Sequence, residues 1–238
     1  YVAQFMDFED VPTPHDDALP RTPTLAALCR GLQSDPFDGS AQIVAAALSY
    51  ERNQREEFGA EHDHFRLVGQ DNVRRYLPVG GVRVRVHAED TAFDVFGRSG
   101  AAHVAGCRVV ISTPPEGTVT CVSPTRGHTG DRPLIELLEQ LTESWAGAIE
   151  FVEESDAQLA QAIAAGQVDR VRYAAPDRAS LEVLQAGNAA NGCVVSVPVS
   201  AEGRLELLWY VREQSISTDY HRYGNLGLRA NEARAEVL

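Results

Sequence analysis

The stretch GVRVRVHAEDTAFDVFGRSGAAHVAGCRVVIS, residues 81–112, decides the fold of this chain. Valines alternate with polar residues over 81–87, which is the period-two pattern of a strand with one apolar face. Asp90 is a predicted N-cap for a helix that runs to about Ala105. A second strand follows over 107–112. A strand, a helix and a strand in this order predict two parallel strands joined by a helical crossover.

The same alternation of strands and helices continues to about residue 200. In chain order, the pattern predicts a helix carrying Leu134, Leu137, Leu138 and Leu141, a strand over 148–154, a helix capped by Asp156 and ending near Ala165, a strand over 168–174, a helix around 178–189 and a strand over 193–199. Such a succession is typical of a parallel sheet covered by helices on both faces. We therefore predict an α/β fold with a Rossmann-like, open and mostly parallel sheet over about 79–200.

The residues before this region predict a different organisation. Residues 7–40 are rich in Asp and Pro, and their apolar stretch Leu25–Leu32 indicates a connecting segment with a short helix, outside the core. A stronger helix is predicted over about 40–57, with one apolar stripe formed by Ile43, Ala46, Ala47 and Tyr50. We divide the chain into a linker and helical segment (1–78), a Rossmann-like domain (79–204) and a C-terminal strand and docking motif (205–238).

Composition excludes several functions. The net charge of −13 disfavours nucleic acids and anionic membranes, because both require basic residues to neutralise phosphate. All 21 basic residues are arginine, which removes any chemistry that depends on a lysine. The four cysteines form no C-x-x-C pair, and no signal peptide or long apolar run is present. We expect a reduced, cytoplasmic protein, and because the chain opens at Tyr1 without Met, we expect it to be part of a longer one.

The turns after the first two strands do not resemble nucleotide-binding turns. A dinucleotide-binding turn needs glycines that let the backbone approach a pyrophosphate. Residues 87–95 read HAEDTAFDV, with acidic residues and no glycine, and residues 112–118 read STPPEGT, with two prolines. We therefore predict no cofactor-binding residues in this chain.

Other candidate sites are weak. His62-Asp63-His64 offers fewer ligands than a zinc site needs, and a solvated loop explains it more simply. Cys193 is predicted to be a buried strand residue, and the acidic stretch 150–157 a solvated strand end with a helix cap. Asp219 and His221 stand two positions apart, a spacing that does not predict a catalytic triad. No catalytic or metal-binding residue is predicted.

The C-terminal segment is the most distinctive part of the chain. Residues 205–213, LELLWYVRE, predict a strand, although a helix also fits their spacing. Beyond them Ile216, Tyr220, Tyr223 and Leu226 would form one apolar stripe if the segment were helical, with Asp219 or Ser217 as its cap and a left-handed end at Gly224-Asn225. Tyr and Arg are common at interface hot spots, which favours docking onto another surface. Alternatively, the segment completes the sheet of its own domain.

At this segment the chain resembles a known family. LLWYVREQSISTDYHRYGNLGLRA, residues 207–230, closely resembles the C-terminal motif of the long forms of proline utilization A, which are bifunctional proline dehydrogenase/L-glutamate-γ-semialdehyde dehydrogenases. The stretches EFGAEHDHFRLVGQDNVRRYLP, LTESWAGAIEFVEESDAQLAQAI and GQVDRVRYAAPDR look like the same family. The resemblance covers about residues 55–238. Residues 8–50 match no motif of the family, and the turn-rich stretch 113–132 is expected to be an insertion.

The resemblance implies a non-catalytic domain of aldehyde dehydrogenase-superfamily fold. In this family the domain covers the tunnel through which the pyrroline-5-carboxylate/glutamate semialdehyde intermediate passes. NAD and FAD would then be bound in the parent protein, and the partner would be the aldehyde dehydrogenase module of the same protein, in the same or a neighbouring protomer of a homo-oligomer. An independent nucleotide-binding or oligomerisation domain is the alternative. The expected interaction motif comprises Glu213, Gln214, Ser215, Ile216, Ser217, Asp219, Tyr220, His221, Arg222, Tyr223, Gly224, Asn225, Leu226 and Gly227.

Overall fold

The computed structural model describes residues 19–115, 133–190, 193–221 and 224–232. Its helices are α1 (Pro23–Ser34), α2 (Ser40–Asn53), α3 (Ala92–Val104), α4 (Leu134–Leu141), α5 (Asp156–Ala164), α6 (Leu181–Ala189) and α7 (Gly203–Glu206). Its strands are β1 (Gln70–Pro78), β2 (Gly81–Arg85), β3 (Arg108–Thr113), β4 (Ile149–Glu153), β5 (Arg170–Arg172), β6 (Cys193–Val195) and β7 (Val211–Asp219).

Five strands form one parallel sheet in the order β4-β3-β2-β5-β6. Val84 of β2 lies opposite Ile111 of β3 on one side and Arg172 of β5 on the other. Every strand predicted between 81 and 199 is present, although the last one ends at Val195. The predicted α/β class with an open parallel sheet is confirmed.

The helices pack into two hydrophobic clusters. The larger cluster joins α1, α2, α3 and α4 to the valines of β2, and the smaller one joins α5 and α6 to Val171 of β5. The predicted stripe of α2 is buried, with Tyr50 only 1% exposed. The connecting role predicted for Leu25–Leu32 is wrong, because Leu25, Leu28 and Leu32 are buried in the larger cluster.

Two helix caps differ from the prediction by one residue. Thr91, not Asp90, caps α3, since its hydroxyl accepts the N–H of Asp94 and the Asp94 carboxylate accepts the N–H of Thr91. Ser155, not Asp156, caps α5 through the same reciprocal pair with Gln158. Both are capping boxes, in which one side chain satisfies the first helical amides while another satisfies the cap amide.

The C-terminal region departs furthest from prediction. The strand predicted over 205–213 is wrong up to Tyr210, because this stretch continues α7 as a 3₁₀ turn, Leu207–Tyr210. The turn buries Leu207 and Tyr210, and it lets the Tyr210 hydroxyl donate to the buried carboxylate of Glu206. A strand would place these two side chains too far apart for that bond.

Beyond Tyr210 the chain forms a strand, not the predicted helix. β7 pairs antiparallel with β1 along nine residues, and the two strands form a ribbon separate from the five-stranded sheet. The hypothesis that the segment completes that sheet is therefore wrong. Ser217 and Asp219 cap no helix, since both lie in β7. Gly224 has the predicted left-handed backbone, with φ of 81°. Tyr223 lies outside the described residues.

Within the described ranges, every helix is too short or too polar to cross a membrane.

Candidate functional site

The carboxyl ends of β2 and β5 mark the place where an open α/β sheet usually binds its ligand. Here the protein's own side chain fills the crevice. The Arg98 guanidinium of α3 donates to the backbone oxygens of Arg85 and Arg172, the last residues of β2 and β5, at 2.8 and 2.9 Å. Arg98 is fully buried. It joins the two strand ends at the point where a cofactor phosphate would otherwise approach.

The start of α3 is closed by carboxylates. Asp90 is 2% exposed, and its carboxylate accepts bonds from Arg98, from Arg178 and from the N–H of His87. The next residues form the capping box of α3, which uses the amide of Asp94. A pyrophosphate needs free amides and no anion at this position. The residues present do not fit a dinucleotide bound in the Rossmann manner.

The expected interaction motif lies along the ribbon and just beyond it. Strand β7 contains Glu213, Gln214, Ser215, Ile216, Ser217 and Asp219. It is followed directly by Tyr220 and His221, and then by Gly224, Asn225, Leu226 and Gly227. The described residues do not include Arg222 and Tyr223. Three side chains bond across to β1: Gln214 accepts from Arg75 at 2.7 Å, Ser217 donates to Asn72 at 2.8 Å, and Asp219 accepts from Gln70 at 2.9 Å. Pairing along both strands thus holds the segment in place.

Beyond β7 the chain closes around Gly69. The Tyr220 hydroxyl accepts the Gly69 N–H at 2.9 Å, and the Gly69 carbonyl accepts the N–H of Tyr220 at 2.9 Å. His221 Nδ1 lies 3.0 Å from the same carbonyl. Arg229 stacks on the Tyr220 ring, 3.9 Å from its centroid, and pairs with Asp71 at 2.7 Å. We call these five residues the Gly69 clasp.

Sequence reasoning found only half of this arrangement. Gly69, Asp71 and the whole of β1 were missed, because QDNVRRYLP reads as a polar stretch with weak alternation. The only sequence signal was Gly69 itself, since an isolated glycine before a possible strand often marks a positive φ. Its φ is 92°.

One edge of the ribbon is unpaired within the part of the chain that the structure describes. Arg74 of β1 exchanges both backbone hydrogen bonds with His62, on the side away from β7. Arg74 lies opposite Ser215 in the ribbon. Because the backbone groups of Arg74 are bonded to His62, Arg74 and Ser215 form a non-hydrogen-bonded pair, and the N–H and C=O of Ser215 point away from β1. Among the described residues β7 pairs with no strand other than β1.

One face of the ribbon is partly apolar. Paired residues share a face, and Val73 and Ile216 are paired. Leu77 lies on the same face of β1 as Val73, because side chains alternate between the two faces of a strand and these residues are four positions apart. Leu77 and Ile216 are 41% and 37% exposed. The open edge thus adjoins apolar side chains that the described chain leaves uncovered.

The weaker candidates form no reactive site. Asp219 and His221 bond separately to Gln70 and Gly69 and do not pair with each other. His62 Nε2 bonds to the Glu57 carbonyl. The described parts of the chain contain no group of three or more His, Cys, Asp or Glu side chains suited to a metal ion.

Two of these predictions need correction. Cys193 is exposed, not buried, because it begins the edge strand β6. The stretch 150–157 is not wholly solvated. Glu154 is 7% exposed and accepts from Ser112 at 2.7 Å, with Arg83 3.3 Å away.

Comparisons with known proteins identify the fold. No protein-family model and no curated protein matches this chain. Among solved structures, proline utilization A from Corynebacterium freiburgense is similar at 25% identity and a TM-score of 0.47, over 91% of this chain and 16% of that one.

Aldehyde dehydrogenases share the architecture at lower identity. Succinic semialdehyde dehydrogenase from Streptococcus pyogenes, solved with NADP+, has a TM-score of 0.51 at 13% identity, over 72% of this chain and 39% of that one. A variant of betaine aldehyde dehydrogenase from Staphylococcus aureus, solved with NAD+, has a TM-score of 0.50 at 11% identity, over 71% and 35%. The chain has the fold of an aldehyde dehydrogenase-superfamily domain, as predicted, and spans less than half the length of each of these proteins.

Proposed function

We propose that this aldehyde dehydrogenase-like chain is the non-catalytic C-terminal domain of a bifunctional enzyme that oxidises proline to glutamate. In that enzyme it would cover the tunnel that carries the pyrroline-5-carboxylate/glutamate semialdehyde intermediate. The observation that carries the proposal is the edge of β7 that no described strand pairs with, where the backbone N–H and C=O of Ser215 point away from β1. The catalytic residues, NAD and FAD would belong to the remainder of the protein.

The crevice filled by Arg98 supports a role in protein–protein contact and not in cofactor binding. Arg98 and Asp90 occupy the place where a related fold would hold a cofactor. Replacing them would require desolvating and separating a buried ion pair, which is costly. A domain that keeps this fold but whose crevice is filled by its own side chains would act by binding another part of its protein.

Strand addition is the proposed mode of docking. An unpaired strand edge offers alternating N–H and C=O groups to another strand, and neighbouring apolar side chains add burial. A two-stranded ribbon is only marginally stable by itself, so pairing with a third strand would also stabilise it. The partner is an edge strand of the aldehyde dehydrogenase module, in the same or a neighbouring protomer.

The test uses the full-length enzyme with Ser215→Pro, and with Ser215→Ala as its matched control. Proline at this position removes an outward N–H and leaves the bonds to β1 intact. We expect Ser215→Pro to release intermediate into solution and to introduce a lag before glutamate forms, and Ser215→Ala to behave as wild type. Protection of the Ile216 amide from hydrogen exchange would verify that β1 and β7 remain paired. Absence of both lag and release in Ser215→Pro would refute the proposal.

Oligomerisation is the second candidate, because the same edge could pair with a second copy of this chain. Light scattering on the two variants separates the alternatives. A loss of mass in Ser215→Pro with unchanged kinetics would favour oligomerisation alone.

A further inference from the structure

A cavity of about 400 Å³ lies beside the crevice that Arg98 closes. Its walls come from the residues that follow β2, β3 and β5, together with the segment leading into α6. This is the carboxyl edge of the sheet, at the switch between β2 and β5, where open α/β folds bind ligands. None of the residues that line the cavity belongs to β1 or β7.

The cavity wall carries charges of both signs. Arg85 and Arg178 contribute guanidinium groups, while Asp156 and Asp177 contribute carboxylates. Arg85 is held by Asp156 at 2.8 Å, and Arg178 is held by the buried Asp90. Asp177 is exposed, and its carboxylate has no partner among the described residues. The cavity therefore offers one uncompensated anionic group to a ligand.

Two residues of the cavity wall also carry buried polar atoms that lack partners among the described residues. Tyr173 is 2% exposed, and its hydroxyl forms no hydrogen bond within the described chain. The Nε–H of Arg178 is unpaired as well. Burial raises the pKa of Tyr173, so its hydroxyl keeps the proton that it can donate. An unsatisfied buried hydroxyl costs about 1 to 3 kcal/mol, which a ligand acceptor would relieve.

The cavity also adjoins the start of α6. Ser180 lines the wall and caps this nine-residue helix by accepting the N–H of Val183. The N–H groups of Leu181 and Glu182 have no acceptor within the helix. Together with Arg178 they favour a carboxylate at this end of the cavity.

We propose that this cavity binds a small zwitterion, a free α-amino acid. Its ammonium group would pair with Asp177, and its carboxylate would face Arg178 and the start of α6, within reach of the Tyr173 hydroxyl. A nucleotide is disfavoured, because the two guanidinium groups of the wall are matched by two carboxylates and leave no excess positive charge to hold a pyrophosphate. A small molecule with one charge of each sign matches the mixed charges of the wall.

The test begins with ligand-detected NMR on the full chain. Each standard L-amino acid is added in turn, and NAD+ and ADP are added as comparison probes. We expect saturable binding of at least one amino acid and no binding of either nucleotide. The N-acetyl and amide derivatives of the best ligand, which lack the ammonium and the carboxylate respectively, should each bind about 10-fold more weakly or worse.

Variants assign the binding to this cavity. Asp177→Asn and Tyr173→Phe should each weaken binding by about 10-fold, and Glu139→Gln, on the exposed surface of α4, should not. Circular dichroism would verify that each variant is folded. Binding of no amino acid, equal binding of the two derivatives and the parent, or unchanged affinity in both cavity variants would each overturn the inference.

Discussion

Tyr220 and Gly69 exchange hydrogen bonds in both directions, one through the tyrosine hydroxyl and one through its backbone N–H. The two residues are 151 positions apart in the chain, and their contact closes the far end of the ribbon. It holds a segment near the chain terminus, where ends are otherwise poorly ordered. The clasp therefore adds to the pairing of β1 with β7 in holding β7 in a fixed position.

Substitution of Gly69 by alanine should loosen the clasp. The φ of 92° is unfavourable for any residue with a Cβ, and a Cβ here would lie 2.8 Å from the His221 ring. Gly147→Ala is the matched control, because Gly147 has a φ of 83° but nothing within 4 Å of a new Cβ. Both changes should cost about 1 to 2 kcal/mol through the backbone. Only Gly69→Ala should accelerate hydrogen exchange along β7, and equal exchange in the two variants would contradict the clasp.

Substitution of Arg98 by methionine should strongly destabilise the fold. It strips Asp90 of one cation and leaves the backbone oxygens of Arg85 and Arg172 without their donor. Loss of one partner from a buried pair costs about 3 to 5 kcal/mol. The free energy of unfolding, measured in urea, is the readout.

The control for Arg98 is Arg108→Met, which breaks an exposed pair with Glu150 and should cost less than about 1 kcal/mol. Adding Asp90→Asn to Arg98→Met should recover part of the loss, because the uncompensated carboxylate is then removed. Equal costs for Arg98→Met and Arg108→Met would show that the buried network is not important for stability.

Substitution of Leu28 by alanine tests whether α1 belongs to the core. Leu28 is 1% exposed, so the cavity left behind should cost about 2 to 5 kcal/mol. Leu205→Ala, at a position 58% exposed, should change stability by no more than about 0.5 kcal/mol. Urea unfolding of both variants is the measurement. A small effect of Leu28→Ala would indicate that α1 is a connecting segment and not part of the core.

The free energy of unfolding should decrease as the pH is lowered, because His103 is buried in its neutral form. Its ring stacks on Trp145 with centroids 4.0 Å apart, and burial lowers its pKa below the ordinary 6.5. The unfolded chain then binds a proton that the folded chain excludes, so stability is complete above pH 6.5 and declines as the pH falls toward the lowered value. Unfolding in urea from about pH 7.5 to 5 should show a steeper loss in wild type than in His103→Gln. Parallel profiles would contradict this assignment.

The central sheet was predictable because its determinants are local. The valines of β2 alternate with arginines, and the alternation alone marks a strand with one buried face. The caps were predicted to within one residue. Asp90 and Thr91 are both good N-caps, and only the burial of Asp90 against Arg98 decides between them.

The docking segment was recognised from its residues, but its conformation was not. Ile216 and Tyr220 stand four apart, a spacing that places two side chains on one face of a helix and equally on one face of an extended strand. Pairing with β1 selects the strand, since each of its nine positions gains a cross-strand neighbour. Because β1 lies more than a hundred residues earlier in the chain, no local pattern contains that information.

The sequence by itself determined the α/β class, the absence of a glycine-rich phosphate turn and the motif that resembles a family, because each depends on residues close together in the chain. Only the tertiary structure decided that Arg98 fills the crevice between β2 and β5 and that Gly69 receives Tyr220. It alone also decided that, among the described residues, β7 pairs with β1 and with no other strand. Those contacts join residues far apart in sequence, and their free energy arises only when the folded chain brings the partners together and removes water from between them.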